Sequence, residues 1–284
     1  MQEYHTNRKD LSFYRLPGGL KGMAGGGRTG IRLHRPWQKM WSGQDREQCP
    51  FCHFSEEDGV MSSLQGWHIK TNKFPVYDIN RIIFPESCWS NSDLYELGGS
   101  FQIETALKIA RQEMASHPDI PLVVSVNVGF LAGQNYPHIH YHLQSVFGIK
   151  HNSRIPTELG KFYEDRPDFV LFNDGGMTVG VGGARSGQCF IFPRGRKSTK
   201  DDILPELARV LHRLVSLCNK KFLSTQGLPP DFTVAFYFEN DFSYGLYTPI
   251  LSNWGGTEYL SLHEGGDILL RWPHEVTAAY LNGR

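Results

Sequence analysis

The residues best equipped for chemistry lie in one short run, His138-Ile-His140-Tyr-His142-Leu-Gln144, preceded by Asn127, Gly129, Gly133 and Gln134. Side chains alternate faces along a strand, so period two predicts one row of imidazoles on one face, with Ile139, Tyr141 and Leu143 packing on the other. Such a row suits nucleophilic or acid–base work near neutral pH, because imidazole is largely neutral there and its nitrogens attack or shuttle protons. It also suits a three-histidine metal site, since paired strand histidines bind zinc in some enzymes. A second cluster, Cys49-Pro50-Phe51-Cys52, has the spacing of half a zinc site or of a redox pair. No strand-to-helix context of the thioredoxin kind surrounds it, which favours zinc.

Several classes are excluded by bulk properties. The 284 residues suffice for a proper core and for one large domain or two small ones. Lys+Arg and Asp+Glu are both 29, so no basic excess exists to neutralise a nucleic-acid backbone, and bulk nucleic-acid binding is not expected. No window reaches the roughly 18 consecutive apolar residues of a membrane span. The first residues, MQEYHTNRKDLSFYRLPGG, lack an apolar export core, so the chain reads as soluble and cytoplasmic, with no membrane partner. Five cysteines, an odd number, in a large cytoplasmic chain point to metal or redox chemistry before disulfides.

The elements that must position these groups follow from periodicity. Residues 1–48 are Gly-rich and are expected to form loop. Residues 67–84 carry two short apolar runs broken at Phe74-Pro75, read as strands. From Asp93 to Ser116, apolar residues at three- and four-residue spacing predict an amphipathic helix. Strands are then expected over 121–129 and 137–147. A weaker copy follows: a strand over 188–193, a helix over 201–222, and strands over 232–238 and 244–251, which reads as a degenerate internal duplication. The Gly-rich stretch 173–187 is expected to be a mobile loop. Cys189, Cys218 and His212 fall within helix or strand patterns and read as core or structural residues.

The segment NVGFLAGQNYPHIHYHLQ resembles the signature of the histidine-triad superfamily. Two more stretches are similar to one branch, the galactose-1-phosphate uridylyltransferase-like enzymes: Arg32-Leu-His-Arg35-Pro36-Trp37-Gln38 followed by the Cys49–Cys52 pair, and, weakly, the terminal WPHEVTAAYL. The resemblance implies an α+β fold of two histidine-triad-like halves, 1–160 with the triad and zinc site and a degenerate 161–284, each an antiparallel sheet with a packed helix. It implies that His140, by register from Gly133, attacks the α-phosphorus of a nucleotide or nucleotide-sugar substrate and is transiently nucleotidylated. His138 would orient it through a backbone carbonyl. Arg32, Arg35, Gln134, Asn135 and Asn127 would serve the phosphates, and Asn72 the base or ribose. The branch also implies a structural zinc, whose set here would be Cys49, Cys52, Cys88 and His138, with Cys88 standing where the branch carries a histidine; His53 and His68 are the rival ligands. A homodimer is a further implication.

One departure divides the readings. The transferases carry Gln two residues after the nucleophile, whereas this chain has His142, as the hydrolytic branches do. A neutral amide cannot act as an acid and an imidazole can, so hydrolysis of phosphoanhydrides or phosphoramidates stands beside nucleotidyl transfer. A nucleotide-binding protein with a retired site is the third reading.

Overall fold

The computed structural model describes residues 2–5, 11–15, 21–25, 49–54, 59–72, 79–87, 99–120, 122–129, 132, 134, 138–145, 155–182, 187–194, 203–226, 230–239, 241–250 and 274–283. Thirteen strands in two antiparallel sheets and four α-helices lie among them. The smaller sheet has three strands, β1 (Gln2–His5), β2 (Leu11–Arg15) and β3 (Lys21–Gly25), in chain order. It corrects the expectation of loop over 1–48 at residues 2–5, 11–15 and 21–25; the others up to 48 lie outside the described residues. Leu11-Ser12-Phe13 alternates apolar and polar residues, a local strand pattern that overall glycine content hides.

The larger sheet holds the candidate site. Its first half comprises β4 (Val60–Leu64), β5 (Trp67–Thr71), β6 (Asn80–Pro85), helix α1 (Gly99–Met114), β7 (Leu122–Val128) and β8 (Tyr141–Ser145). Helix α2 (Ile155–Asp165) follows, then β9 (Val170–Asp174), β10 (Met177–Val181), β11 (Cys189–Pro193), helix α3 (Ile203–Gln226), β12 (Asp231–Glu239) and β13 (Asp241–Ile250), with helix α4 (His274–Asn282) last. The strand order is β4-β5-β6-β8-β7-β12-β13-β11-β10-β9. Read inward from either end, the order is the same: three successive strands, then the fifth, then the fourth. The two series meet where β7 pairs with β12, from Val128 opposite Phe232 to Leu122 opposite Phe238. The duplication read from the helix and strand periods is therefore present as a mirrored topology.

Local sequence explains the joints. Leu64 pairs with Trp67 across a two-residue turn in which Gln65 and Gly66 have φ of 50° and 77°, the primed geometry that matches strand twist. Of residues 173–187, expected as a loop, 173–181 instead belong to β9, β10 and the turn between them, and 183–186 lie outside the described residues. Gly175, at φ 58°, turns the chain, and Gly180 makes room for an aromatic ring: a Cβ there would lie 2.2 Å from Tyr163 Cε1. These glycines serve packing, which composition alone read as mobility.

The core lies between the sheet and two helices. Ile103, Ala106, Leu107, Ile109 and Ala110 of α1 are buried, as are Leu207, Ala208, Val210, Leu211 and Leu214 of α3. The two helices pack on each other and on the sheet, meeting Ile69, Ile83, Val124, Val126, Tyr141 and Leu143 in one apolar cluster. Each Leu, Ile or Val among them that is removed from water contributes roughly 1.5–3 kcal/mol. Alternation then turns His142 and Gln144, between the buried Tyr141, Leu143 and Ser145, to the opposite face. In the second half α2 covers part of that face: the Tyr163 ring stacks on Phe192 at 5.3 Å and its hydroxyl donates to Val181 O at 3.1 Å. Among the described residues no helix is long and apolar enough to cross a membrane.

Candidate active site and metal centre

Only part of the histidine run is strand. β8 begins at Tyr141, so His138 and His140 precede it, and the single row of three imidazoles is not what forms. Each ring has its own surroundings. His138 is fully buried and points its Nδ1 at two thiols, Cys52 Sγ at 3.3 Å and Cys49 Sγ at 3.5 Å. Its Nε2 lies 3.0 Å from the Pro85 carbonyl oxygen at the end of β6. A carbonyl only accepts, so Nε2 carries the proton and Nδ1 presents a lone pair to the sulfurs. Burial lowers the His138 pKa to about 4, which keeps the ring neutral at physiological pH.

The cysteines come from a tight turn in which the N–H groups of Cys52 and His53 donate to Cys49 O at 3.1 and 3.2 Å. Neither cysteine is joined in a disulfide. Cys49 Sγ, Cys52 Sγ and one His138 nitrogen lie within 4.8 Å of one another. Bonds of about 2.3 Å to sulfur and about 2.0 Å to nitrogen, at a tetrahedral angle, set S and N about 3.5 Å apart. The donor set and its spacing thus fit zinc with three of the four expected ligands. Neither rival histidine belongs to this cluster. His53 is exposed, and His68 Nδ1 is 2.6 Å from Ser63 Oγ. Cys88 lies outside the described residues.

His140 is turned away from the sulfurs. Its Nδ1 lies 2.8 Å from the His138 carbonyl oxygen, so Nδ1–H donates and Nε2 keeps the lone pair. The ring is 5 % exposed, and burial lowers its pKa, so it is neutral and nucleophilic near pH 7. Phe51, between the two cysteines, stacks on it at 4.8 Å with 27° between planes. Phe51 also meets Phe84 at 5.2 Å, and Lys70 Nζ sits 5.5 and 5.1 Å from the Phe51 and Phe84 centroids, which sets a cation beside the aromatic group. Sequence reading assigned Phe51 nothing; its place between two ligands was the available signal. The His142 ring meets His140 edge-on at 5.1 Å, and its Nδ1 is buried without a partner among the described residues. Burial first, and the neighbouring His140 second, push the His142 pKa down to about 3.

The remaining expected contacts divide. Asn127 is half-buried on β7 opposite Thr233. Asn72 is held by Asn80, its N–H donating to Asn80 O at 2.9 Å and its Nδ2 to Asn80 Oδ1 at 3.1 Å. Gln134 is 1 % exposed and spans two backbone groups, Gly129 N at 2.7 Å and His138 O at 3.4 Å. Arg32, Arg35 and Asn135 lie outside the described residues. Cys189 and Cys218 are fully buried in the core, as read from sequence.

No family model matches the sequence, and no curated protein does. Solved structures do match. An ADP-glucose phosphorylase from Arabidopsis thaliana with bound ADP-glucose superposes with a TM-score of 0.63 at 15 % identity, over 96 % of this chain and 98 % of that one. A uridylyltransferase gives 0.63 at 16 % identity, over 89 % and 92 %. A yeast Ap4A phosphorylase in complex with Ap4A gives 0.52 at 12 %, over 98 % and 87 %. At these identities the likeness speaks for architecture. The chain has the fold of these uridylyltransferases and nucleotide phosphorylases, the α+β architecture that the sequence resemblance implied.

Proposed function

We propose that this protein is a nucleotidyltransferase that works through a nucleotidyl-histidine at His140. One observation carries the reading: the His138 carbonyl takes the Nδ1 proton of His140 at 2.8 Å, leaving a neutral imidazole with Nε2 as its nucleophilic atom. In the first step Nε2 attacks the α-phosphorus of a nucleotide or nucleotide sugar, a P–N bond forms, and the P–O bond to the leaving phosphate breaks with its electrons on oxygen. In the second step an acceptor oxygen attacks phosphorus and the P–N bond breaks, restoring His140. Arg32 and Arg35 would neutralise phosphate charge, Asn127 and Asn135 would hold phosphate oxygens, and Asn72 would meet the nucleoside. The solved relatives with bound ADP-glucose and Ap4A support a nucleotide substrate.

Zinc in this site would be structural. Cys49, Cys52 and His138 would hold it with Cys88, and four protein ligands leave no open position for water activation. It would tie the Cys49–Cys52 turn to the residues before β8. The reading also includes a homodimer, a cytoplasmic location, and a division of the chain near residue 160, which falls within α2.

A second reading has its own support. His142 stands where the transferases carry Gln and meets His140 edge-on at 5.1 Å, so a neutral imidazole that could hydrogen-bond the leaving group or an attacking water replaces an amide, which favours hydrolysis. Intact-mass measurement after incubation with nucleoside-diphosphate sugars and dinucleoside polyphosphates tests the common intermediate. The expected result is one nucleoside-monophosphate adduct that His140→Ala abolishes; an adduct that persists in this variant, or none with any donor, overturns the proposal. Adding phosphate or sugar phosphate then separates transfer, which consumes the adduct into a new product, from hydrolysis, which does not need the acceptor.

A further inference from the structure

Gln134 is one residue from Asn135 in the turn before the histidines, and the family resemblance makes both phosphate ligands. Its geometry points elsewhere. The side chain is 1 % exposed. Its Oε1 accepts from Gly129 N–H at 2.7 Å, and its Nε2 donates to the His138 carbonyl at 3.4 Å. A backbone N–H can only donate and a carbonyl can only accept, so the amide has one orientation and both ends are engaged with main chain. The Gln134 N–H also donates back to Gly129 O at 3.1 Å, closing residues 129–134 into a ring through backbone and side chain.

The anchor of this ring is fixed by the second half of the sheet. Gly129 has φ +96°, and a Cβ there would fall 2.0 Å from the Asp231 carboxyl carbon, at the first residue of β12. The carbonyl that Gln134 reaches is the one that accepts Nδ1–H of His140 at 2.8 Å. A carbonyl oxygen has two lone pairs, so the two donors fill it together and fix its direction.

We infer that Gln134 is a positioning residue for His140: it clamps the His138 carbonyl to the Gly129 backbone and thereby fixes the tautomer and plane of the nucleophile. It is not a phosphate ligand. The inference rests on the nucleotidyl-histidine reading for its effect on rate, but its effect on the tautomer is independent of any reaction. Glutamine is the neutral side chain of this length that both accepts and donates. A carboxylate in its place keeps the bond to Gly129 and sets a second oxygen against the His138 carbonyl. An apolar side chain loses both bonds.

The test uses Gln134→Glu and Gln134→Met in the full-length protein, with ¹⁵N NMR of the histidine ring nitrogens. Wild type is expected to hold His140 as the Nδ1–H tautomer. Gln134→Glu is expected to give a mixture, and to slow adduct formation by about 10²-fold, the scale of a misplaced nucleophile, with the nucleotide Kd unchanged within about twofold. A wild-type tautomer distribution retained in both variants overturns the clamp. An unchanged adduct rate with weakened nucleotide binding overturns it in favour of a phosphate contact. Should both variants fail to fold, the wild type decides: a trans-hydrogen-bond coupling between Gln134 Nε2 and the His138 carbonyl carbon supports the clamp, and free solvent exchange of the Gln134 amide overturns it. If no donor labels the wild type, the catalytic reading fails, while the tautomer measurement still judges the clamp.

Discussion

Burial makes the histidines uncharged, and this has a cost in acid. His138 falls to about 4 and His142 to about 3, both below the ordinary histidine value near 6.5, and His140 is lowered too. The unfolded chain therefore binds more protons below pH 6.5, so stability is intact above that value and declines as pH falls toward the folded pKa values. The thermal midpoint is expected to drop steadily from pH 7 to 5. His142→Gln removes one of the groups and should give a shallower slope over the same range, measured by calorimetry; equal slopes would exclude the His142 contribution. Phe51 gives a second expectation at this scale. It is 4 % exposed and stacked on His140, so Phe51→Ala should cost about 3 kcal/mol in denaturant unfolding. The proposed zinc ligands give a third. Cys49→Ser and Cys88→Ser should each lower zinc content from one ion per chain, read by elemental analysis. Full zinc in Cys88→Ser would remove Cys88 from the set.

Elements show where sequence was legible and where it was not. The helix periods of α1 and α3 and the apolar runs of β5, β7, β11 and β12 are visible because one buried face repeats at a fixed interval. The Cys49–Cys52 turn and its meeting with His138 were legible because both carry donor atoms at motif spacing. What sequence concealed depends on neighbours distant along the chain. Gly180 looks like flexibility until Tyr163, 17 residues earlier in the chain, is seen to fill the space beside it. Gln134 reads from the resemblance as a phosphate contact, and its bonds to Gly129 and the His138 carbonyl show only in the structure. The same packing yields a prediction: Gly180→Val forces a side chain into the Tyr163 ring and should destabilise by about 1–3 kcal/mol. Tyr163→Ala in the same chain should recover part of that loss, since the two sites share one space. A purely additive double variant in chemical denaturation would show that the ring is not the obstacle.

At the scale of the molecule, the histidines and the cysteines belong to one end of the sheet's inner strands, while the second half contributes a carboxylate at Asp231 beneath Gly129. The counterpart of the triad strand, β13, holds no histidine. Helix α2 packs on β13 and on β11, where its Tyr163 stacks on Phe192, so among the described residues the second half supports the first without repeating its chemistry. This asymmetry explains how a duplicated topology carries one candidate active site. It could not be read from either half alone, because the supporting contacts cross between them.

The pairing of β7 with β12 is the seam of that arrangement. Two identical half-length subunits related by a dyad would place the same strand against its twin in the same antiparallel manner, an isologous contact. Here a single polypeptide makes that contact with itself, so assembly across the seam does not depend on concentration. The two halves are also free to differ: the first carries His138, His140 and His142, while β13 of the second carries none and Tyr163 stacks on Phe192 beside it.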